Sequence, residues 1–268
     1  MRLIPVFTLA LLAMPALAQD VTQDGAEPQA PRHDPAAAMR DLRNEQQQIY
    51  AKWREEVQAI QKQMKEAAED PEGGKKPVKA FPMRPDLSPL VGKAQNYAKT
   101  FANSEDAVPF LVWIVQNGSP NKDAMRDALE TILETHANSS GVAALAPMLP
   151  YLGRMISADI GDRAMDVFVA SSNADVRASA LLVRHGTTID SAPLESPKYA
   201  AAKQELLEAA KEASEAVRKK VDTAINVREH YGVGVIAKDI IGTDLDGEEF
   251  KLSDYKGRVI FLDFWGDW

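Results

Sequence analysis

The chain has 268 residues, 45% of them hydrophobic, with a formal net charge of −8 and no cysteine. That is enough apolar mass for one or two domains with a core. The acidic balance argues against nucleic-acid binding, and the missing thiols exclude any disulfide framework or cysteine metal site within these residues.

Residues 1–18 read as a secretory signal peptide. Met1-Arg2 is a basic start, Val6 to Ala18 is apolar, and Ala16-Leu17-Ala18 before Gln19 is a small-x-small cleavage site. The apolar run is too short for a permanent anchor. The expected product is exported, periplasmic or extracellular, after cleavage following Ala18, with no stable membrane span. Residues 19–34 are rich in Gln, Asp, Pro and Ala and read as a disordered tether.

Residues 35–69 predict one long amphipathic helix. Asp34-Pro35 supplies a cap and a first-turn proline, and Met39, Leu42, Ile49, Trp53, Val57, Ile60 and Met64 recur at helical spacing. Gln46 occupies the one missing step of that stripe. Packing onto the rest of the chain is preferred to a coiled coil with another copy, because the stripe is brief and interrupted. Residues 70–87 are rich in Gly and Pro and read as a linker.

Residues 88–231 predict a helical domain. Ser88-Pro89, Ser119-Pro120 and Ser196-Pro197 each offer a cap followed by proline, and Ser104-Glu105-Asp106 opens a further helix. Gly118 stands where a helix would end, and Met125, Leu129, Ile132, Leu133 and His136 share one face. Ser172 to Leu182 resembles the second helix of a HEAT-like repeat. No clean period runs through Phe101 to Gly186, so a helical bundle and irregular HEAT-like helices both stand. Ser196 to Tyr231 reads as the longest helix, its alternating charges forming a solvated face.

From Gly232 the pattern changes to β. Asp244 to Gly247 is placed for a hairpin turn, Glu248 to Leu252 is its return arm, and Val259 to Trp265 reads as a core strand buried on both faces. Mostly α with a C-terminal incomplete α/β segment, a β-hairpin plus a core strand, is the expected fold class.

Within residues 232–268, Asp244-Leu245-Asp246-Gly247, Leu252-Ser253-Asp254-Tyr255-Lys256-Gly257 and the strand closing on Phe264-Trp265-x-x-Trp268 resemble the opening of a thioredoxin-like domain of the redoxin type. This group holds exported thiol-disulfide oxidoreductases and alkyl hydroperoxide reductase/thiol-specific antioxidant proteins. Ala237-Lys238-Asp239 departs from the Ala-Pro-Asp usual there. The resemblance implies a nucleophilic cysteine of a Cys-x-x-Cys motif, or a selenocysteine, immediately after Trp268, with Trp265 and Trp268 on the rim of the redox site. No catalytic residue is then expected within the chain as given, which would be redox-inactive. Three origins of that end stand open: a selenocysteine UGA, a nonsense or sequencing error, and a genuine truncation. The implied substrate of the full-length form is a protein disulfide or a peroxide.

The four histidines, His33, His136, His185 and His230, fit no ligand pattern, so no metal and no cofactor is expected. Trp53 and Trp113 read as core aromatics. The alternative to a redox enzyme is a helical interaction scaffold over residues 35–231 with an unknown protein partner and no catalytic role.

Overall fold

The computed structural model describes residues 34–69, 80–102, 104–119 and 121–263. The expected signal peptide, the tether up to His33, linker residues 70–79 and both Trp265 and Trp268 lie outside the described residues.

Helix α1 (Pro35–Glu69) begins on its proline and is the longest element. It turns Ala38, Met39 and Leu42 into the core. Helices α2 (Ser88–Thr100), α3 (Val108–Asn117) and α4 (Lys122–Thr131) follow, then a π-helical turn, Ile132–His136, and a 3₁₀ segment, Ser140–Met148. After these come α5 (Leu149–Met155), α6 (Ala158–Val169), α7 (Ala174–Ser191), α8 (Pro197–Ala210) and α9 (Glu215–Tyr231). Most helices adjacent in sequence pack on one another, α4 meets α6 as well as α3, and the 3₁₀ segment lies against α3 and α7. The molecule is mostly α-helical with a small β part. Among the described residues no helix is long and apolar enough to cross a membrane.

Local polar chemistry sets the helix starts. Ser196 accepts the Tyr199 N–H, and Ser104 accepts that of Asp106. At two of the serine–proline pairs the work is done elsewhere. Asp86 Oδ1 accepts the Ser88 N–H at 2.9 Å. Asn121, not Ser119, caps α4 by accepting the Ala124 N–H at 3.0 Å, because its carboxamide reaches the first turn directly. Gly118 caps α3 in a helical conformation, φ −73°.

Two apolar clusters form the core. The first joins α1 to α6 around Leu42, Phe110, Ile114, Leu145 and Phe168. The second lies among α7, α8 and α9, around Ile189, Tyr199, Leu206 and Val221. Each such fully buried side chain stabilises by about 1.5–3 kcal/mol. Helix α7 serves both clusters, giving Val176 and Ala180 to the first and Ala178 and Leu181 to the second. Its small residues let helices approach on two sides. Helices α5 and α6 also approach closely: a Cβ on Gly161 would lie 2.5 Å from the Gly153 backbone nitrogen.

The segment expected as one long helix is two. The chain breaks at Lys211–Ser214, where Ala213 is buried and the Ser214 N–H donates to Asp175 Oδ1 at 2.6 Å. A carboxylate at the start of α7 thus sets where α9 begins.

Strands β1 (Ile241–Thr243) and β2 (Glu249–Lys251) pair antiparallel, with Gly242 opposite Phe250. A 3₁₀ turn, Leu252–Tyr255, follows. The expected core strand is not realised in Val259–Asp263: these residues belong to no strand, and Val259 and Phe261 are 102% and 89% exposed. A strand is held by its neighbours' N–H and C=O groups, and among the described residues no strand lies beside this one.

Candidate functional site

The two residues expected on the rim of a redox site, Trp265 and Trp268, lie outside the described residues; the β segment that precedes them is described as far as Asp263. Three aspartates build that segment. Asp239 accepts both the N–H and the Oγ–H of Ser253, each at 2.8 Å. Beside this contact, the Leu252 N–H donates to Ile240 O at 2.9 Å and closes the open end of the hairpin.

At the other end Asp244 Oδ1 accepts the N–H groups of Asp246 and Glu248, both at 2.9 Å. Gly247 supplies the left-handed backbone of this turn, φ +85°. Asp254 Oδ2 then accepts the Lys251 N–H at 3.0 Å and fixes the 3₁₀ turn.

The Ser253 hydroxyl, followed by the Ser253 N–H, holds the Asp239 carboxyl below its ordinary value of 3.8. The segment is therefore organised by ionised carboxylates on backbone donors. Its described residues contribute nothing to either apolar cluster, and Val259 to Leu262 lie on the surface. The chain contains no cysteine, so the segment holds no thiol.

His136 is buried, with Nδ1 3.4 Å from Glu105 Oε1. The Ser139 hydroxyl first, and His136 with it, lower the Glu105 pKa. His185 Nε2 lies 2.7 Å from Glu205. Among the described residues no group of three or more His, Asp or Glu side chains is arranged to hold a metal ion.

Trp113 lies in the core as its helical face predicts, and it has a polar partner that helical spacing does not reveal. The indole N–H donates to Gln46 Oε1 at 2.9 Å, Gln46 Nε2 donates to Asn117 Oδ1 at 2.7 Å, and Asn117 Nδ2 returns to Trp113 O at 2.9 Å. This relay pins α1 to α3 at the floor of an open groove of about 490 Å³. The one polar residue in the apolar stripe of α1 was the available signal. A second missed cluster joins α8 to α9: Tyr199 Oη donates to Glu229 Oε1 at 3.0 Å, and Lys203 Nζ donates to the same oxygen at 2.5 Å.

Comparison with known proteins finds short matches to thiol-disulfide oxidoreductases. The chain is 56% identical over 36 residues to the thiol-disulfide oxidoreductase ResA of Geobacillus kaustophilus, covering 13% of this chain and 21% of that protein. It is 50% identical over 36 residues, with the same coverage, to ResA of Geobacillus thermodenitrificans. The ResA of Bacillus anthracis matches at 42% over 41 residues, 15% of this chain and 24% of that protein. The chain thus spans about a fifth of the length of the curated relatives it matches. These partial matches support a thioredoxin-like relationship for that stretch. No family model matches the chain, and no solved structure does.

Proposed function

We propose that residues 232–268 are the opening of a thioredoxin-like redox domain, carried by a helical body that comprises α1 and residues 88–231. The observation that carries this reading is the 56% identity over 36 residues to a thiol-disulfide oxidoreductase. The matched stretch has the length of the C-terminal segment on which the redoxin motifs fall. The relatives' names favour thiol–disulfide exchange with a protein disulfide over peroxide reduction.

In this reading the nucleophile, a thiolate or a selenolate, belongs directly after Trp268, with Trp265 and Trp268 on its rim. It attacks one sulfur of the substrate disulfide and expels the other as a thiolate. The second cysteine of the Cys-x-x-Cys pair then resolves the mixed disulfide, so the substrate is reduced to two thiols and the enzyme pair is oxidised. The 268 residues hold no thiol and do not run this reaction by themselves. Export with cleavage after Ala18 belongs to the same proposal and is supported by the small-x-small site there.

The test is the coding sequence through and beyond the codon after Trp268. An open frame with x-x-Cys, whose product reduces insulin disulfides, supports the reading. A frame without that motif removes it. A second reading, a helical interaction scaffold, is favoured by one observation: both apolar clusters form without any residue of 232–263. A scaffold keeps its partner when everything after Tyr231 is deleted.

A further inference from the structure

The last turn of helix α9 carries Arg228, a side chain only 7% exposed. Its guanidinium reaches in two directions. Nη2 donates to Ala192 O at 2.8 Å, just past the end of α7, and Nη1 donates to Val233 O at 3.1 Å, the first residues of the β segment. Gly232 is shaped by this crossing: a Cβ there would lie 2.5 Å from Arg228 O and 2.7 Å from Nη1. The body is thus tied to the segment that leaves it by one buried cation placed between two carbonyls. Charge-assisted bonds of this kind are the stronger class, and the bidentate fork fixes direction as well as distance.

Past Val233 the character of the structure changes. Gly234 sits at φ +89° with open space around the position of a Cβ, and Val233 and Ile236 are almost fully exposed. The hydrogen bonds that organise the hairpin and its 3₁₀ turn are internal: Asp239 to Ser253, Ile240 to Leu252, Asp244 to its own turn, Lys251 to Asp254. The side chain of Lys238 over the Tyr231 ring, 5.3 Å from its centroid, is a solvent-side contact. A segment with few buried apolar contacts and its own closed hydrogen-bond set opens separately from the body that carries it.

We infer that Arg228 is the latch between the helical body and the C-terminal β segment, and that the β segment opens as its own unit about residues 233–236. The guanidinium sets the exit direction of the chain, and the residues after it supply the pivot. The inference concerns how the segment is mounted and does not depend on its redox chemistry.

The test uses the full chain, with thermolysin cleavage and amide exchange read by mass spectrometry. Arg228→Met keeps most of the apolar stem and removes both donors. It is expected to raise cleavage within residues 233–241 at least tenfold, while exchange in α7 and α8 stays within twofold. Val217→Ala, at the far end of α9, is the comparison: it loosens the second apolar cluster without touching the latch and should raise helix exchange instead. If Arg228→Met does not give a folded chain, Arg228→Lys, whose ammonium lacks the fork that spans both carbonyls, is read by the same measurements and is expected to show the same selective rise. The inference is overturned if cleavage at 233–241 changes less than twofold in the folded Arg228 variant, or if that variant and Val217→Ala give the same pattern.

Discussion

Asp239 and Ser253, fourteen residues apart, are joined by two hydrogen bonds of 2.8 Å that close the open end of the hairpin. Both bonds end on one carboxylate, and both are strongest when it is ionised. The consequence is a pH dependence. The Ser253 hydroxyl, then its N–H, lowers the Asp239 pKa from 3.8. A carboxyl with a depressed folded pKa contributes stability that is present above its unfolded value and lost as pH falls through the folded one. The hairpin amides of residues 240–252 should therefore lose their dispersion in NMR spectra below pH 3.8. In Asp239→Asn that acid transition should be absent or much reduced. An unchanged acid transition in the variant would assign it to another group.

Tyr199 gives the opposite edge of the pH range. Burial first, and then the Glu229 carboxylate that accepts its hydroxyl, push its pKa up to about 12 from 10.0. A group with a raised folded pKa contributes stability that is complete below the unfolded value and disappears as pH rises through the folded one. The α8–α9 contact should thus weaken between pH 10 and 12. In an ultraviolet titration one tyrosine should ionise after the others, and Tyr199→Phe should delete that last step.

Replacing Gln46 by Leu completes the apolar stripe of α1 and still destabilises the protein. Trp113 is 4% exposed, and its indole N–H would lose its acceptor. Leaving one buried donor unpaired costs about 1–3 kcal/mol. Urea titration should show that loss in Gln46→Leu and a smaller additional loss in Gln46→Leu with Trp113→Phe than Trp113→Phe causes alone. Additive costs would mean the relay is not coupled.

Gly161→Ala is expected to be among the most damaging single-methyl additions in the helical body. Its Cβ would meet backbone of Gly153 at 2.5 and 2.7 Å, and no side-chain rotation relieves a contact with main chain. Overpacking of this kind costs roughly 3 kcal/mol. Gly186→Ala, with nothing within 4 Å, is the matched control. Thermal unfolding of the pair should separate them clearly, and equal melting temperatures would show that α5 and α6 can part at little cost.

The exposed run Val259 to Leu262 should make the 268-residue chain self-associate, since an unpaired apolar segment of this kind invites pairing with another chain. Sedimentation velocity should show concentration-dependent association that Val259→Lys with Phe261→Lys abolishes. A chain ending at Tyr231 should stay monomeric and keep its helical content. Association that persists in that shorter chain would move the sticky surface to the helices.

The helices themselves were legible in the sequence because their signals are local. Proline in the first turn, an oxygen-bearing side chain before it, and apolar residues at spacings of three and four act within a few residues of one another. The hairpin was legible for the same reason, since Asp244 and Gly247 carry the chemistry of their own turn. What failed, or was missed, depended on partners far along the chain. The break between α8 and α9 is set by Asp175, thirty-nine residues before Ser214. The role of Gln46 requires Trp113, and that of Arg228 requires Ala192.

The same division decides the end of the chain. Val259 to Leu262 has the composition of a core strand, and composition alone supports that expectation. Whether apolar residues become a strand rests on neighbouring backbone groups to pair with and on a face to cover them, and among the described residues neither is supplied. Alone, the sequence determined where helices and turns form and which motif family its last segment resembles. Tertiary structure decided which helices share a core, that Gly161 faces the Gly153 backbone with no room for a side chain, and that one buried arginine joins the two kinds of structure, because those outcomes are contacts between residues distant in the chain.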